Sequence, residues 1–422
     1  MKFFVRFIFR SIARGILRRE RPLVVAVAGS VGKTGTKEAV AAALATSTRT
    51  LRQTVGNFNG EIGVPLTIMT GGTAPTSLWQ WGMVLVAGLT QLLARRPYPA
   101  AVVLELGADK PGDLRPLVEL ARPKIGILTA LTPEHMEFFD SLEAVVAEES
   151  LVVRLLQSDG TAILNLDDPH SKKIRSSLRS RVMTYGWDMT ADVRIDQVRL
   201  TTDQHGLPTG QIIKVAVAGS VIPVALPGVI GRHQAYPIAA ALTVAVACGD
   251  EVFESVQRLS HYRVPPGRMR VFPGVEGTVI IDDTYNASPA AMQAAVTTLI
   301  DLTVPGKKHV ILGQMSELGA SAAEAHDQIG ALLSPQVIET IITVGPLAKR
   351  IGDAAHLKRF PNARIFNVPT AEAAATTIRP LIQAGDALLF KGSRYASRLE
   401  RAVKILLADP RRDEQWLVGG RG

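Results

Sequence analysis

Short apolar runs alternate with amphipathic stretches between residues 23 and 264. Such runs are typical of strands buried on both faces of a parallel sheet, and the stretches between them are typical of the helices that cover it. The predicted strands are Val24–Ala28, Ala101–Glu105, Ile125–Thr129 and Ala162–Asn165, and the clearest helices are 36–45 and 142–157. Between residues 182 and 226, polar and apolar residues alternate singly, which indicates a small antiparallel excursion.

The segment Val264-Pro265-Pro266-Gly267 predicts a hinge, because Pro and Gly end regular secondary structure. Apolar runs resume after it at Thr278–Asp282, His309–Leu312, Thr340–Val344, Arg364–Val368 and Ala387–Phe390. The pattern predicts an α/β chain in four parts: an N-terminal helix at 1–22, a central domain at 23–264, a C-terminal domain at 265–408 and a flexible tail at 409–422.

Composition narrows the class of protein. The chain has 422 residues and one cysteine, so no disulfide framework can form and a reducing, cytoplasmic setting is expected. The net charge is +9, but residues 1–22 hold seven basic residues against Glu20 alone, a net of +6, which leaves +3 for the other 400 residues. A basic nucleic-acid-binding face on the main body is therefore not predicted.

Two segments raise the question of membrane contact. Residues 1–22 form a basic amphipathic pattern with Arg6, Arg10, Arg14 and Arg18 four residues apart. Such a helix either lies on an anionic membrane surface or packs on the protein with its arginines in water. Residues 78–93 are apolar but shorter than the ~20 residues that a spanning helix needs. We interpret the two segments as one peripheral patch, at the inner face of the membrane if it makes contact.

The strongest chemical signal is the glycine-rich segment Gly29-Ser30-Val31-Gly32-Lys33-Thr34-Gly35, directly after the first predicted strand. Such a turn aims backbone N–H groups at one spot, at the positive end of the next helix, where a triphosphate binds. Lys33 would reach the β- and γ-phosphates of ATP, and the Thr34 hydroxyl would hold Mg²⁺. Because the strict motif has glycine where this chain has Val27, an ordinary glycine turn is the alternative.

Two further side chains follow predicted strands. Glu105 ends the strand 101–105, and His135 comes soon after the strand 125–129. Ligands bind at the carboxyl ends of strands in open α/β sheets. Glu105 could therefore coordinate Mg²⁺, and His135 could bind a second cation or position an acyl phosphate. The alternatives are a salt-bridged or helix-capping Glu105 and a structural His135.

Together with other segments, these motifs resemble the Mur ligase family of ATP-dependent acid–amine ligases, and in particular its branch that adds D-alanyl-D-alanine. The matching segments are the glycine-rich loop, Gly56–Pro65, Glu105–Ala108, Glu134–Glu137, Leu164–Asp168, Gly267-Arg268, Asp282–Pro289, Gly313–Gly319 and Lys391–Arg394. They run in family order from about residue 23 to residue 405. The resemblance implies a central P-loop ATPase-like domain with a mainly parallel sheet, followed by a Rossmann-like α/β C-terminal domain.

The resemblance also implies an activity. The γ-phosphate of ATP would pass to the carboxylate of a small-molecule or lipid-linked muropeptide, and the amine of a D-alanyl-D-alanine-like dipeptide would attack the acyl phosphate. The implied roles are metal ligation by Thr34, Glu105 and His135; catalysis by Lys33, His135 and Glu149; nucleotide binding by Gly29, Ser30, Val31, Gly32, Lys33, Thr34, Gly35, Asn286 and Arg268; and substrate contact by Asn57, Asn59, Asp283, Lys391, Gly392, Ser393 and Arg394. Arg268 could instead be a solvated hinge residue, and Asp282 and Asp283 could simply cap the helix near Pro289.

The chain departs from the family pattern in three places. First, about 22 residues precede the first strand, so the family's N-terminal domain, which holds the uridine diphosphate, is expected to be missing. Second, the family often has a carbamylated lysine fourteen residues after the histidine, and here that position is Glu149, either a ready-made carboxylate or an exposed helix residue. Third, Pro237 replaces an asparagine that lies near the nucleotide base, which could relax base selectivity.

These departures leave alternatives open. The ligase could act on a different or lipid-linked carboxylate, or the chain could be a membrane-associated ATPase module that ligates nothing. The residues of the second domain argue against the last alternative, because a bare ATPase would not need Asp283, Asn286 or the segment 391–394.

Overall fold

The computed structural model describes residues 2–56, 58–72, 75–94 and 96–420, with side chains from residue 6 onward. The chain forms two compact α/β units, which confirms the predicted fold class. The first unit contains residues 1–197, 214–224 and 236–263, and the second contains residues 198–213, 225–235 and 264–422. The chain passes into the second unit for the last time between Arg263 and Val264, next to the predicted hinge. The segments 198–213 and 225–235 also group with the second unit, although a single boundary was expected.

The strands are β1 (Leu23–Ala28), β2 (Leu51–Gln53), β3 (Ala101–Glu105), β4 (Ile125–Leu128), β5 (Thr161–Asn165), β6 (Arg181–Gly186), β7 (Val193–Thr202), β8 (Pro208–Val217), β9 (Ser220–Pro227), β10 (Arg270–Pro273), β11 (Val279–Asp283), β12 (Lys308–Gly313), β13 (Thr340–Val344), β14 (Ile365–Val368) and β15 (Ala387–Lys391). The α-helices are α1 (Lys2–Glu20), α2 (Lys33–Leu44), α3 (Gly63–Thr70), α4 (Leu78–Leu93), α5 (Leu114–Ala121), α6 (Leu142–Glu149), α7 (Leu151–Arg154), α8 (Pro169–Arg175), α9 (Ala235–Ala247), α10 (Val252–Leu259), α11 (Pro289–Asp301), α12 (Ala322–Leu332), α13 (Lys349–Leu357), α14 (Ala371–Ile378), α15 (Arg394–Ser397), α16 (Glu400–Leu406) and α17 (Pro410–Asp413).

The first sheet has the strand order β2-β3-β1-β4-β5-β6-β7-β8-β9. From β2 to β7 each neighbouring pair is parallel. The apolar runs of β3, β4 and β5 are completely buried, as expected for strands covered by helices on both faces. Because β1 lies between β3 and β4, the residues that follow these three strands meet at one edge of the sheet.

The predicted antiparallel excursion corresponds to β7, β8 and β9. Ala218 and Gly219 join β8 to β9 with φ angles of +50° and +80°. A two-residue turn can join only antiparallel strands, and positive φ angles match their twist. The excursion begins later than residue 182, because β6 still pairs in parallel with β5.

The helix α1 packs on the first unit through its apolar side. Phe9, Ile12, Ala13 and Ile16 are buried there, and Arg6 forms an ion pair with Glu61. Of the two interpretations of this helix, packing on the protein is therefore the one found for its apolar side. No described helix combines the length and the hydropathy that crossing a bilayer requires.

The second sheet has the strand order β10-β11-β15-β12-β13-β14. β10 is antiparallel to β11, and the other neighbouring pairs are parallel. The register places Asp283, at the end of β11, beside Lys391, at the end of β15. These two residues therefore stand at the carboxyl edge of the sheet, where ligands bind in such folds.

The predicted flexible tail needs correction within the described residues. Asp409 accepts a hydrogen bond from the Arg412 N–H and thereby caps α17. Leu417 is buried in the core of the second unit, and the Arg270 guanidinium lies 4.8 Å from the centre of the Trp416 ring. The prediction was wrong because the charged and Gly-rich composition of this segment outweighed its few apolar residues.

Two helix glycines allow a test of the packing between α12 and α13. A Cβ atom on Gly330 of α12 would lie 2.2 Å from the Ile351 carbonyl oxygen, whereas a Cβ atom on Gly82 of α4 would meet nothing within 4 Å. We expect Gly330→Ala to lower the free energy of unfolding by ~1–3 kcal/mol through overpacking. Gly82→Ala should raise it by up to ~1 kcal/mol through helix propensity. Calorimetric unfolding measures both, and equal shifts in one direction would contradict this account.

Candidate active site

The glycine-rich loop connects β1 to α2, which begins at Lys33, three residues earlier than predicted. Gly29 and Gly32 have φ angles of +126° and +94°, a region that residues with a side chain rarely adopt. A Cβ atom on Gly29 would lie 2.2 Å from the Thr129 hydroxyl oxygen, so the loop can pass this point only with glycine. The first turn of α2 thus follows a tight glycine turn, the arrangement that binds phosphate.

The middle of the loop is fixed to the segment after β4. The N–H groups of Ser30 and Val31 donate to the Ala130 carbonyl at 2.8 and 3.3 Å. The Ser30 hydroxyl donates to the Thr132 carbonyl at 2.9 Å and accepts from the Thr132 N–H at 3.1 Å. These contacts support an anchoring role for Ser30 and Val31, and their contact with a nucleotide stays a prediction.

Lys33 folds its ammonium group back over the loop. It donates to the carbonyl oxygens of Gly29 and, at 3.0 Å, Ser30, and it lies 3.5 Å from a carboxylate oxygen of Glu134. Burial alone would lower the pKa of Lys33, but the negative charges of Glu134, Glu149 and Glu105 outweigh it and raise the pKa. Lys33 is therefore a retained positive charge in the loop.

Glu149 lies at the end of α6 and is only 3% exposed. Its carboxylate accepts a hydrogen bond of 2.7 Å from the Gly29 N–H. Burial raises the pKa of Glu149, and the charge of Lys33 and the Gly29 N–H oppose that rise. The alternative of an exposed helix glutamate is wrong, because the side chain reaches the first glycine of the loop.

Glu105 ends β3 and is buried beside the loop. One of its carboxylate oxygens lies 3.3 Å from both the Thr34 hydroxyl and the Asn59 amide nitrogen. The other oxygen lies 3.8 Å from the Lys37 ammonium nitrogen and has no hydrogen-bond partner among the described residues. Glu105 therefore forms an ion pair with Lys37, as the salt-bridge alternative predicted. The same buried carboxylate oxygen still lacks a hydrogen bond.

This donor set fits a magnesium ion that also binds phosphate. Mg²⁺ prefers oxygen ligands and usually takes one or two carboxylates from the protein, with waters and substrate phosphates completing its shell. The unsatisfied oxygen of Glu105 and the Thr34 hydroxyl are oxygen ligands of that kind. Within the described part of the chain, no three His, Cys, Asp or Glu side chains gather into a metal cluster. A fully protein-built metal cage is therefore not present there.

His135 lies in the segment after β4 with a φ angle of +53°. It is half-buried, and its charge, when protonated, would act against the raised pKa of Glu149. The structure thus places His135 in the same electrostatic environment as Lys33 and Glu149. Its role as a metal ligand stays a prediction.

The sequence analysis missed two charged residues of this region. Glu134 contacts Lys33, and its position directly before His135 could have indicated it. Lys37 is completely buried and donates at 2.6 Å to the Thr54 carbonyl. It lies one helical turn after Lys33, so spacing along α2 could have placed both lysines on one face.

The second unit holds a separate cluster of predicted substrate residues. The Lys391 ammonium donates to a carboxylate oxygen of Asp283 at 2.6 Å and to the Asn286 carbonyl at 2.9 Å. The other Asp283 oxygen accepts from the Met269 N–H at 3.2 Å. Lys391 is 2% exposed and Asp283 is also buried, so removing either partner of this ion pair would be costly. The helix-capping alternative for Asp283 is not what the structure shows.

The segment after Lys391 is bound to the loop after β12. Ser393 donates its N–H to the Gln314 carbonyl and accepts from the Ser316 N–H, both at 3.0 Å. Gly392 approaches Gly313 so closely that a Cβ atom on Gly392 would lie 2.8 Å from the Gly313 Cα. Arg394 begins α15, with its guanidinium 5.5 Å from the centre of the Tyr395 ring.

The remaining predicted residues lie near this cluster or outside the described residues. The Arg268 guanidinium lies 4.5 Å from the centre of the Tyr285 ring, a cation–π contact that ties the hinge arginine to the end of β11. The exposed Asn286 side chain accepts from the Ala287 N–H at 2.9 Å. Asn57 lies outside the described residues.

Asp282 is a buried carboxyl group that the sequence analysis treated only as a possible cap. One oxygen accepts from the Thr284 N–H and hydroxyl, and the other has no partner among the described residues. Burial raises the pKa of Asp282 to about 7. The neutral form is therefore favoured in the folded chain, and ionisation of Asp282 costs stability.

This shift gives a pH dependence with a definite sign. The contribution of Asp282 to the free energy of unfolding should decline as the pH rises from 3.8, the ordinary pKa of aspartate, to about 7, because the folded chain binds this proton more tightly than the unfolded chain. Asp282→Asn keeps the carbonyl acceptor and cannot ionise, so its stability relative to the parent should rise across this range. The exposed Asp301→Asn serves as the control. Parallel curves for the parent and Asp282→Asn would contradict the shift.

Comparisons with known proteins agree with this geometry. The model of the Mur ligase middle domain matches residues 86–245. The model described as Mur ligase, glutamate ligase domain, matches residues 267–394. The first match begins after the glycine-rich loop and includes Glu105, His135 and Glu149, and the second includes Asp283 and Lys391.

Similar proteins and structures extend the match over most of the chain. UDP-N-acetylmuramoyl-tripeptide–D-alanyl-D-alanine ligase from Bacillus subtilis (strain 168) is 29% identical, over 95% of this chain and 79% of that protein. The protein of the same name from Escherichia coli (strain K12) is also 29% identical, over 95% of this chain and 80% of its own length. The crystal structure of MurF ligase from Thermotoga maritima in complex with ADP has a TM-score of 0.77 and 27% identity, and covers 95% of this chain and 83% of that one. With the two domain matches and the loop geometry, these likenesses show that the chain belongs to the Mur ligase family.

Proposed function

We propose that the chain is an ATP-dependent amide ligase of peptidoglycan precursor synthesis, which joins a D-alanyl-D-alanine-like dipeptide to a muropeptide carboxylate. One observation carries the proposal: the glycine turn, Lys33, Glu105 and Glu149 meet at the carboxyl edge of the first sheet. The relatives that are named for this ligation extend over 95% of the chain. A solved relative of 27% identity is a complex with ADP, which supports ATP as the nucleotide.

The reaction is written as two displacements. A carboxylate oxygen of the muropeptide attacks the γ-phosphorus of ATP, the bond to the bridging oxygen breaks, and ADP leaves. The amine nitrogen of the dipeptide then attacks the acyl carbon, the bond to the phosphate oxygen breaks, and phosphate leaves as the amide forms and the amine loses a proton. Phosphoryl transfer depends on positioning and charge neutralisation more than on covalent help from the protein.

The residues of the first unit would supply that neutralisation. Lys33 would exchange its contacts with the loop carbonyls and Glu134 for the phosphates of ATP. Bound Mg²⁺ would withdraw charge from the phosphate oxygens, and Glu105 and Thr34 are the residues that fit it. Glu149 accepts a hydrogen bond from the Gly29 N–H and adds negative charge near Lys33. His135 would act at the same edge of the sheet as a catalytic residue and metal ligand.

The residues of the second unit would serve the dipeptide and the nucleotide. We assign the dipeptide to Asp283, Lys391 and the segment 392–394, and nucleotide contacts to Asn286 and Arg268. The buried ion pair of Asp283 and Lys391 would fix the edge of the second sheet on which these contacts depend. Asn59, which contacts Glu105, would face the carboxylate substrate.

A lipid-linked carboxylate is a second candidate substrate, with a small-molecule muropeptide as the first. The exposed apolar side chains of α4, among them Trp79 at 73% and Leu93 at 79%, favour it, because a lipid-linked substrate would be met at a membrane surface. The need for ATP agrees with a cytoplasmic location, which stays a prediction.

A phosphate-release screen tests the function. UDP-linked and lipid-linked muropeptides are each supplied with ATP, with and without D-alanyl-D-alanine, and the amide product is followed by mass spectrometry. We expect product only with both substrates present, and none from Lys33→Ala, because that variant loses the charge that faces the phosphates. Phosphate release without either substrate would instead support an ATPase module. Full turnover by Lys33→Ala would contradict the proposed site.

The neighbouring glutamates of α6 provide a matched test of Glu149. Glu149→Gln can keep the hydrogen bond from the Gly29 N–H but loses the charge, so we expect turnover to fall about 10- to 100-fold and the Mg²⁺ concentration for half-maximal rate to rise. Glu148→Gln is the control, because Glu148 accepts from the Leu114 N–H at 2.7 Å and glutamine can also accept there. Unchanged kinetics for Glu149→Gln would show that its charge has no role.

A further inference from the structure

The outer side of α4 is apolar and exposed. Its side chains, which we call the α4 apolar face, are between 39% and 88% exposed. They are Leu78, Trp79, Met83, Val86, Leu89 and Leu93. The helix contains no charged residue. A surface helix normally carries charged residues on its solvent side. An exposed apolar face of this kind indicates a binding surface.

The inner side of α4 already has its partners within the first unit. Val84, Gly88 and Gln91 are buried, and the Trp81 ring stacks on Phe9 of α1 with 5.6 Å between ring centres. A Cβ atom on Gly88 would lie 2.2 Å from the terminal methyl of Met69. The helix is therefore fixed on the unit, and rotating it to bury the α4 apolar face would break a packed interface.

Basic residues flank one end of this face. Contacts from Phe9 to Trp81 and from Arg19 to the Ala94 carbonyl, at 2.9 Å, show that α1 and α4 run in the same direction. The last turn of α1 therefore lies beside the last turn of α4. Arg18 and Arg21 are exposed at that end, and Arg96 is exposed directly after α4.

Acidic residues are absent from the sequence around α4. None occurs between Glu61 and Glu105, a segment that contains the whole helix. Glu20, at the end of α1, is engaged by Arg19. The exposed arginines at that end of the α4 apolar face, Arg18, Arg21 and Arg96, therefore give it a positive charge.

We propose that the α4 apolar face is a docking surface for an anionic lipid bilayer, with α4 lying in the plane of the interface. Apolar side chains would enter the boundary between headgroups and acyl chains, while the arginines contact lipid phosphates. A tryptophan such as Trp79 is a residue that favours this boundary. The charge favours a bilayer over a second copy of the chain, because the net charge of +9 repels a copy and attracts anionic lipid. The inference does not depend on the ligase activity.

Vesicle flotation of the full chain tests the proposal. The probes are vesicles of phosphatidylcholine alone and of phosphatidylcholine with phosphatidylglycerol, each at low and at high salt. We expect binding to the anionic vesicles at low salt, weaker binding at high salt because salt screens the arginines, and little binding to the neutral vesicles. No binding to anionic vesicles at low salt would overturn the proposal.

Paired substitutions locate the surface. Met83→Glu with Val86→Glu should lower the partition coefficient at least about tenfold, because two exposed apolar side chains that would enter the bilayer become charges. The control pair, Phe253→Glu with Leu357→Glu, adds the same charge at positions that are 64% and 83% exposed on α10 and α13, and should bind nearly as the parent does. Equal binding by both pairs would overturn the proposal.

Two further measurements test the role of the arginines and the possibility that the α4 apolar face binds a second copy of the chain. Arg18→Glu with Arg21→Glu should remove the preference for anionic vesicles, and the exposed Arg411→Glu should not.

Sedimentation velocity without lipid should find a monomer. A dimer that Met83→Glu with Val86→Glu dissociates, together with no vesicle binding by the parent, would assign the face to a second copy and overturn the proposal. Circular dichroism confirms that each variant is folded.

Discussion

The balance of charge around Lys33 is the constraint on which the first site depends. A buried ammonium group is costly unless opposite charges compensate it, and here Glu134, Glu149 and Glu105 do so together. Because Glu149 also holds the N–H of Gly29, the same carboxylate that compensates the charge fixes the start of the loop. Glu149 therefore contributes both to the position of the loop and to the charge balance around Lys33. A phosphate that displaced Glu134 from Lys33 would replace one negative charge with another and leave the rest of the loop in place.

The second unit solves a similar problem in a different way. Lys391 has one carboxylate partner, Asp283, and the backbone carbonyl of Asn286 completes its contacts. The neighbouring carboxyl group on β11, Asp282, has no cationic partner among the described residues, and its raised pKa favours the neutral form over most of the acidic range. These adjacent aspartates have different partners, since neighbouring residues of a strand face opposite sides of the sheet. The ion pair of Asp283 and Lys391 holds the edge of the sheet, whereas Asp282 affects stability through its ionisation.

Much of this architecture could be predicted from the sequence. The strands were predicted because buried parallel strands form continuous apolar runs, and the loop at Lys33 because its glycines follow such a run directly. Glu105 and His135 followed from the rule that strand ends share one edge. The position of Glu134 beside His135 indicated a residue of this region, but its contact with Lys33 could not be predicted, because only the fold selects one of the several acids in this segment. The anchoring of the chain at Leu417 was missed because the apolar run from Trp416 to Val418 is too short to show a period.

The position of Glu149 has a consequence for how the site is completed. A carboxylate that is formed on a side chain after synthesis depends on the supply of its reagent and can be lost again. In this chain the carboxylate is translated with the polypeptide and is in place as soon as α6 packs against the loop. The charge of Glu149 depends on pH, on its burial and on neighbours such as Lys33, and it needs no modifying reagent.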